Sequence, residues 1–417
     1  MKKSYSKWAE REAGSQLRLV ALKEVVRQEL REFVVSAGMV ALSELLEEER
    51  TDACGPRYRH QPGRKARRAG HVRGELVMGG RRVSVPRPRA RTVDDREVEL
   101  PSWRHFSVED PLHERALTQM LVGVSTRKYE RSLERVAEPV KTRGTSKSAV
   151  SRRFVAITKA QMDDWFARDL SDIDVVVVML DGVHIAEHVI LVAVGIDSDG
   201  KKHVLGIREG ATENATACRE LLVELRQRGL STEKATLFVL DGAKALRKAV
   251  VDVWAERAKI QRCQAHKVRN VMDQLPEYMR STVKATMRQA YSCNNVVHAR
   301  KLLHNLARTL RADHPSAAAS LDEGLEETLT VMAMKLPRGL ERVLSTTNVI
   351  ENLIGSTRDL SARVKRWRDG EMIVRWTATA VHEASTKFRR IAGHKDMPKL
   401  VRALRAHETV ERQESVA

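Results

Sequence analysis

Cysteine is scarce in this 417-residue chain: Cys54, Cys218, Cys263 and Cys293 are widely spread and form no C-x-x-C pair. That spacing excludes a disulfide framework and a zinc site built from cysteine alone, and it predicts a reducing, cytoplasmic setting. An apolar signal core is also missing, because the N-terminal MKKSYSKWAEREAGSQL is charged and polar where such a core would lie. The most continuous apolar run, 175–180, falls far short of the ~18 residues that a membrane-spanning helix needs, so no membrane partner is expected. Acids are nearly absent from one stretch, since Glu75 is the sole carboxylate between residues 55 and 92.

Basic residues fill that gap. Lys and Arg number 74 against 55 Asp and Glu, a net charge of +19 with a pI near 10.0, and 42% apolar content is ample for folded cores. A folded chain so basic excludes most ordinary metabolic enzymes and points to a polyanionic partner, nucleic acid ahead of an acidic membrane surface.

The chain divides by texture. Residues 1–54 lack proline and carry Leu17, Val20, Leu22, Val25, Val26, Leu30 and Val34 at helical spacing, which predicts amphipathic helices for packing or dimerisation. Residues 55–109 read as a basic loop, with Arg64, Lys65, Arg67 and Arg68 for DNA contact, leading into a hairpin turned at Gly79-Gly80 and closed by Pro86 and Pro88. Residues 110–171 are helical. Within them Gly144-Thr-Ser precedes a capped helix that presents Lys147, Ser148, Ser151, Arg152 and Arg153 outward and turns Ala149, Val150, Phe154 and Val155 inward, as a helix-turn-helix recognition helix does.

From 172 to 266, β-branched runs at 175–180, 188–196, 203–207, 235–240 and 260–263, with helices at 212–230 and 242–259, predict one mixed sheet covered by helices. Residues 267–344 read as wholly helical and 345–417 as further helices. Two predicted strands end in Asp181-Gly182 and Asp241-Gly242, the edge where α/β proteins place their chemistry. Glu351 stands on the first turns of a helix capped from within Ser345-Thr-Thr-Asn348. Converging carboxylates in so basic a protein suit divalent metal, because Mg²⁺ takes hard oxygen ligands and shares them with substrate phosphates. Two such ions ~3.5–4 Å apart serve in-line phosphoryl displacement.

Cys263 and His266 form a C-x-x-H that offers two ligands where a structural zinc wants four. Completion by His298, His304 or Cys293 would be a tertiary accident, and His266 reads better as a polar group donating to phosphate or organising the pocket. Lys267 and Arg269 beside it, and Arg363, Arg366 and Arg368 beyond Glu351 with Trp367 and Trp376 interleaved, read as further DNA contacts.

In order, Asp181-Gly, Asp241-Gly, Cys263-Gln-Ala-His266-Lys-Val-Arg-Asn, Thr-Thr-Asn-Val-Ile-Glu351 and Arg363-Val-Lys-Arg-Trp367-Arg with Arg375-Trp376 resemble the bacterial Mutator-type DDE transposases of insertion sequences. The separations, 241 − 181 = 60 and 351 − 241 = 110, match as well. The resemblance implies an RNase H-like core interrupted by an all-helical insertion, with Asp181, Asp241 and Glu351 as ligands of two Mg²⁺ or Mn²⁺ ions. It further implies binding of double-stranded DNA at terminal inverted repeats, strand cleavage, and transfer of the 3′-hydroxyl to target DNA, by a homodimer or larger assembly in the bacterial cytoplasm. Two rival readings are a non-catalytic DNA-binding protein derived from a transposase and an RNase H-like nuclease or resolvase.

Overall fold

The computed structural model describes residues 37–414, apart from 60–62, 65, 79–80, 109–112, 122, 126–127, 130–141, 145, 211–213, 363 and 365. The helices expected before residue 37, the Gly79-Gly80 turn, Lys65 and Arg363 lie outside the described residues. The chain divides into two units, Met1–Ile157 and Thr158–Ala417.

The first unit holds α1 (37–54), β1 (Ala66–Met78), β2 (Arg81–Thr92), β3 (Glu97–Val98), α2 (Pro101–Val108), α3 (His113–Leu121), β4 (Thr142–Gly144) and the start of α4 (Lys147–Ala167). Much of the stretch expected to be a basic loop is strand: β1 and β2 pair antiparallel from Ala66↔Thr92 to Met78↔Arg81. Leu76, Val83 and Val85 alternate inward against Leu42, Leu46 and Leu100. Pro86 and Pro88 sit inside β2 instead of ending it. On its second side, among the described residues, β2 pairs with β4 only at 81–83 and with β3 only at 90–91, so the prolines occupy backbone to which no described strand is paired on that side.

The arginines of this hairpin are less free than their run in sequence suggests. Arg67 pairs with Asp95 at 2.5 Å, Arg91 with the same carboxylate at 2.7 Å, and Arg87 and Arg89 share Glu97. Arg68 braces β1 to α1 through Glu47 and Thr51 Oγ1, so its guanidinium is engaged within the unit. In α4, Ser146 Oγ accepts from Ala149 N; Lys147, Ser148 and Arg152 are exposed, Ser151 and Arg153 half-buried, and Val150 and Phe154 buried. Val155, expected inside, is exposed.

The second unit is built on five strands, β5 (Val175–Ile185), β6 (His188–Asp197), β7 (Lys202–Glu209), β8 (Thr236–Leu240) and β9 (Ala258–Arg262), in spatial order β7-β6-β5-β8-β9. The first three form an antiparallel meander, whereas β8 and β9 run parallel to β5, each reached through a helix, α5 (Ala215–Gln227) or α6 (Lys244–Trp254). Helices α7 (Gln264–Asp273), α8 (Glu277–Ser292), α9 (Val296–Asp313), α10 (Pro315–Asp322), α11 (Thr330–Ala333) and α12 (Arg338–Leu344) follow β9, and then come α13 (Asn348–Ser361), α14 (Gly370–Ser385) and α15 (Met397–Glu414). None of the described helices is long and apolar enough to cross a membrane.

The period of two along a strand sorts the core into layers. Val178, Leu180, Phe238 and Leu240 face α5 and α6, together with Leu221, Leu222 and Val250. Val177, Met179, Val183, Leu237 and Val239 face the opposite way, against Ile350, Leu353 and Ile354 of α13, Ile373 of α14 and Leu400 of α15. Helices α7 to α10 hold a third core of their own around Val271, Met287, Leu303 and Leu321. Arg375 is buried on α14 and donates from Nη1 to Thr158 Oγ1 at 2.8 Å.

Candidate active site

Parallel pairing of β5 with β8 runs Val177↔Leu237 through Leu180↔Leu240, so Asp181 and Asp241 stand side by side at the next level, on strands about 4.8 Å apart. Their parity is that of Met179 and Val239, which turns both carboxylates towards the face covered by α13. Glu351 sits one residue after Ile350 in the first turn of that helix, and its charge, like that of Asp241, acts on Asp181. The topology therefore brings three acids 60 and 110 residues apart in sequence to one place.

The two Asp-Gly pairs are different devices. Asp181 was expected at a strand end, but β5 continues four residues beyond it to Ile185, because its antiparallel ladder with β6 persists where the parallel ladder with β8 stops. Gly242, by contrast, adopts φ +111°, and a Cβ there would overlap the Arg262 guanidinium. Arg262 is buried, donating from Nη1 to Glu323 O at 3.0 Å and pairing through Nη2 with Glu323 Oε2 at 3.2 Å. It buttresses the turn that carries Asp241, and no pattern in the sequence announces it.

Each aspartate is held by the backbone beyond it. Gly182 N donates to Asp181 Oδ1 at 2.7 Å, and Ala243 N donates to Asp241 Oδ1 at 2.9 Å, leaving the second oxygen of each for a ligand. Burial first, and then the like charges of Asp241 and Glu351, push the Asp181 carboxyl up from 3.8 to about 6, against the opposing pull of the Gly182 N–H and of His266.

A second group of donors shares Glu351. Cys263 directly follows β9 at the N-cap of α7, its N–H bonded to Leu240 O at 2.7 Å, and His266 lies in the first turn of α7. Ligand atoms of Cys263, His266 and Glu351 all fall within 4.8 Å of one another, with His266 Nδ1 3.6 Å from Glu351 Oε1. Among the described residues, the group that accompanies the C-x-x-H is Glu351 and not another cysteine or histidine. At the centre is Thr347, fully buried at the N-cap of α13. Its hydroxyl caps no backbone group of that helix; it donates to Glu351 Oε1 at 2.6 Å and lies 3.3 Å from both Cys263 Sγ and His266 Nδ1. The hydrogen bond with Cys263 is the chief cause that raises the basicity of His266, with the Glu351 charge adding to it. Burial pushes the Cys263 thiol up, but hydrogen bonds with His266 and Thr347 outweigh it and leave the thiol below its ordinary value.

Lys267 departs from the expectation of DNA contact. It is fully buried and donates from Nζ to Ser320 O and Glu323 O, both at 2.5 Å, at the carboxyl end of α10. Burial brings its ammonium down to about 8. Arg269, Arg366 and Arg368 are exposed, whereas Trp376 is buried and packs edge-on against Trp367, with ring centroids 6.5 Å apart.

Two outcomes follow from this geometry. A carboxyl whose value rises on folding adds stability below 3.8 that is lost as the pH climbs through about 6. In the presence of a chelator Asp181→Asn is therefore more stable than the parent at pH 7, by up to about 3 kcal/mol, and the gap closes towards pH 4. Thermal melts across that range check it, and a pH-independent difference would refute the assignment. Thr347→Val, which removes a buried hydroxyl bonded to a carboxylate, lowers stability by about 1–2 kcal/mol, while Thr347→Ser restores most of it, as read by urea unfolding.

Comparison with known proteins gives one family: the model described as "Transposase, Mutator family" matches residues 11–390. Among curated relatives, the transposase for insertion sequence element ISRM5 of Rhizobium meliloti is 29% identical over 361 residues, covering 82% of this chain and 86% of its own. The transposase for IS905 of Lactococcus lactis is 23% identical over 376 residues, 87% of this chain and 91% of that one. The transposase for IST2 of Acidithiobacillus ferrooxidans is 31% identical over a shorter span, 42% of this chain and 58% of its own.

Proposed function

The chain belongs to the Mutator family of transposases, and we propose that it serves an insertion sequence by cutting DNA at the element's terminal inverted repeats and joining the freed 3′-hydroxyl to target DNA. The observation that carries this reading is the convergence of Asp181, Asp241 and Glu351 at the end of a parallel strand pair, in a chain of net charge +19. Strand order β7-β6-β5-β8-β9, helices on both faces and a helical excursion before the third acid support an RNase H-like architecture.

The donor set suits Mg²⁺ or Mn²⁺. It consists of hard oxygens, and burial, with the like charges of Asp241 and Glu351 adding to it, holds the Asp181 carboxyl up at about 6, a cost that a bound cation would offset. Asp181, Asp241 and Glu351 would hold such ions, which when bound supply the positive charge that an in-line phosphodiester displacement requires. The chain's own residues do the positioning. The Gly182 and Ala243 N–H groups fix one oxygen of each aspartate, Thr347 fixes Glu351, and His266 sets a proton-holding ring beside Asp181 and Glu351. The exposed Lys147, Ser148 and Arg152 of α4, with Arg64 before β1, would hold the duplex.

Incubating the full-length protein with labelled inverted-repeat DNA and Mg²⁺ tests the reading. Asp181→Asn, Asp241→Asn and Glu351→Gln each reduce cleavage and strand joining to background while duplex affinity stays within about twofold; full activity in any of the three sinks the assignment. For α4, Lys147→Ala with Arg152→Ala weakens inverted-repeat binding and lowers the salt slope by about two, near 0.9 for each lost phosphate contact. An unchanged slope removes this helix from the interface.

A further inference from the structure

Next to the carboxylates lies a groove of about 730 Å³ that the three acids do not use, within the range of binding clefts. Its walls are α7, α8 and α12, and they bring together Arg269, Lys284, Arg288, Arg338 and Arg342 against one acid, Glu341. Arg338 is partly engaged, donating to Ser292 O at 2.9 Å. Among the described residues, no carboxylate lies within 4.0 Å of the cationic groups of Arg269, Lys284, Arg288 or Arg342, and all four side chains are exposed. Elsewhere Arg67, Arg87, Arg89, Arg91, Arg247 and Arg300 carry acid partners.

The groove borders the candidate active site. Gln264, Ser345 and Thr346 line it, and they are the chain neighbours of Cys263 and Thr347. The charge of Arg269 is felt at His266, whose proton affinity it reduces. Thr346 Oγ1 is buried in the wall without a hydrogen-bond partner, an orphaned polar group at the junction of groove and acids. Below the cations the lining turns apolar, with Val268, Met272 and the ring of Tyr291.

Cations at the rim over an apolar floor are the features of a site for a single nucleic-acid strand, in which phosphates meet the charges and unpaired bases lie against the apolar surface. A duplex presents phosphates on its outside and has no use for such a floor. We infer that this groove holds a short unpaired segment of the DNA strand that enters the carboxylate site, with Arg269, Lys284, Arg288 and Arg342 on its phosphates.

The inference rests on the acids being the cleavage centre, and its test separates the two. Full-length protein is titrated in a chelator with labelled oligothymidylate, which cannot pair, and in parallel with inverted-repeat duplex, so neither metal nor cleavage enters the readout. Lys284→Gln with Arg288→Gln weakens oligothymidylate binding about tenfold and lowers its salt slope by about 1.4, two contacts at ~0.7 each, with duplex binding within twofold. Asp181→Asn leaves the same assay unchanged. Lys284→Arg with Arg288→Lys, which keeps the charge, binds oligothymidylate as the parent does. An unchanged oligothymidylate slope, an equal loss on both probes, or failure of the charge-keeping pair overturns the assignment.

Discussion

Leu180 lies beside Leu240 in parallel, and the site depends on that register. A parallel pair with no offset delivers the residues that follow each leucine to one level and, because side chains alternate, to one face. A slip of one residue would send Asp241 into the layer of Phe238 and Leu240, where α5 and α6 offer it only apolar partners. Burial at this end of the strands leaves Asp181 reluctant to ionise.

The helical excursion after β9 is held at its root. Gln264 N donates to Ser345 O at 3.0 Å and Thr347 N lies 3.4 Å from Cys263 Sγ, so the chain leaves and returns through one narrow neck. That neck is made of the same residues that orient Glu351. Helices α7 to α10 build their own core, with Lys267 tying α7 to the last carbonyls of α10. Structure at the neck and chemistry at Glu351 cannot be varied independently, whereas the outer helices are bound by no such condition, apart from the basic groove of α7, α8 and α12.

How much of this was legible in the sequence follows from what makes each feature local or remote. The five strands and both aspartates were readable because apolar runs announce buried strands and a carboxylate at their end stands out. Glu351 was readable as a candidate through its place near a helix start. The hairpin of the first unit was underestimated, because prolines and arginines argue for a loop unless one knows that β2 is half unpaired and that Glu97, Asp95 and Glu47 supply counter-charges. Lys267 misled for a related reason: its partners are carbonyls of Ser320 and Glu323, more than 50 residues away, and a buried lysine looks like any other in a basic stretch. The distinction between Gly182 and Gly242 exists only in φ and in the position of Arg262.

The face of the sheet that receives the acids is covered by α13, α14 and α15, all of which come after the excursion. During synthesis the five strands and helices α5 and α6 emerge first, with one face closed and the other bare. The residues that close it, Ile350, Leu353 and Ile354, flank Glu351 on the same helix. Closure of that face thus begins with the helix that brings in the last carboxylate. A chain cut short within the excursion has no third acid and no finished core, and its bare apolar face leaves such a fragment prone to aggregate.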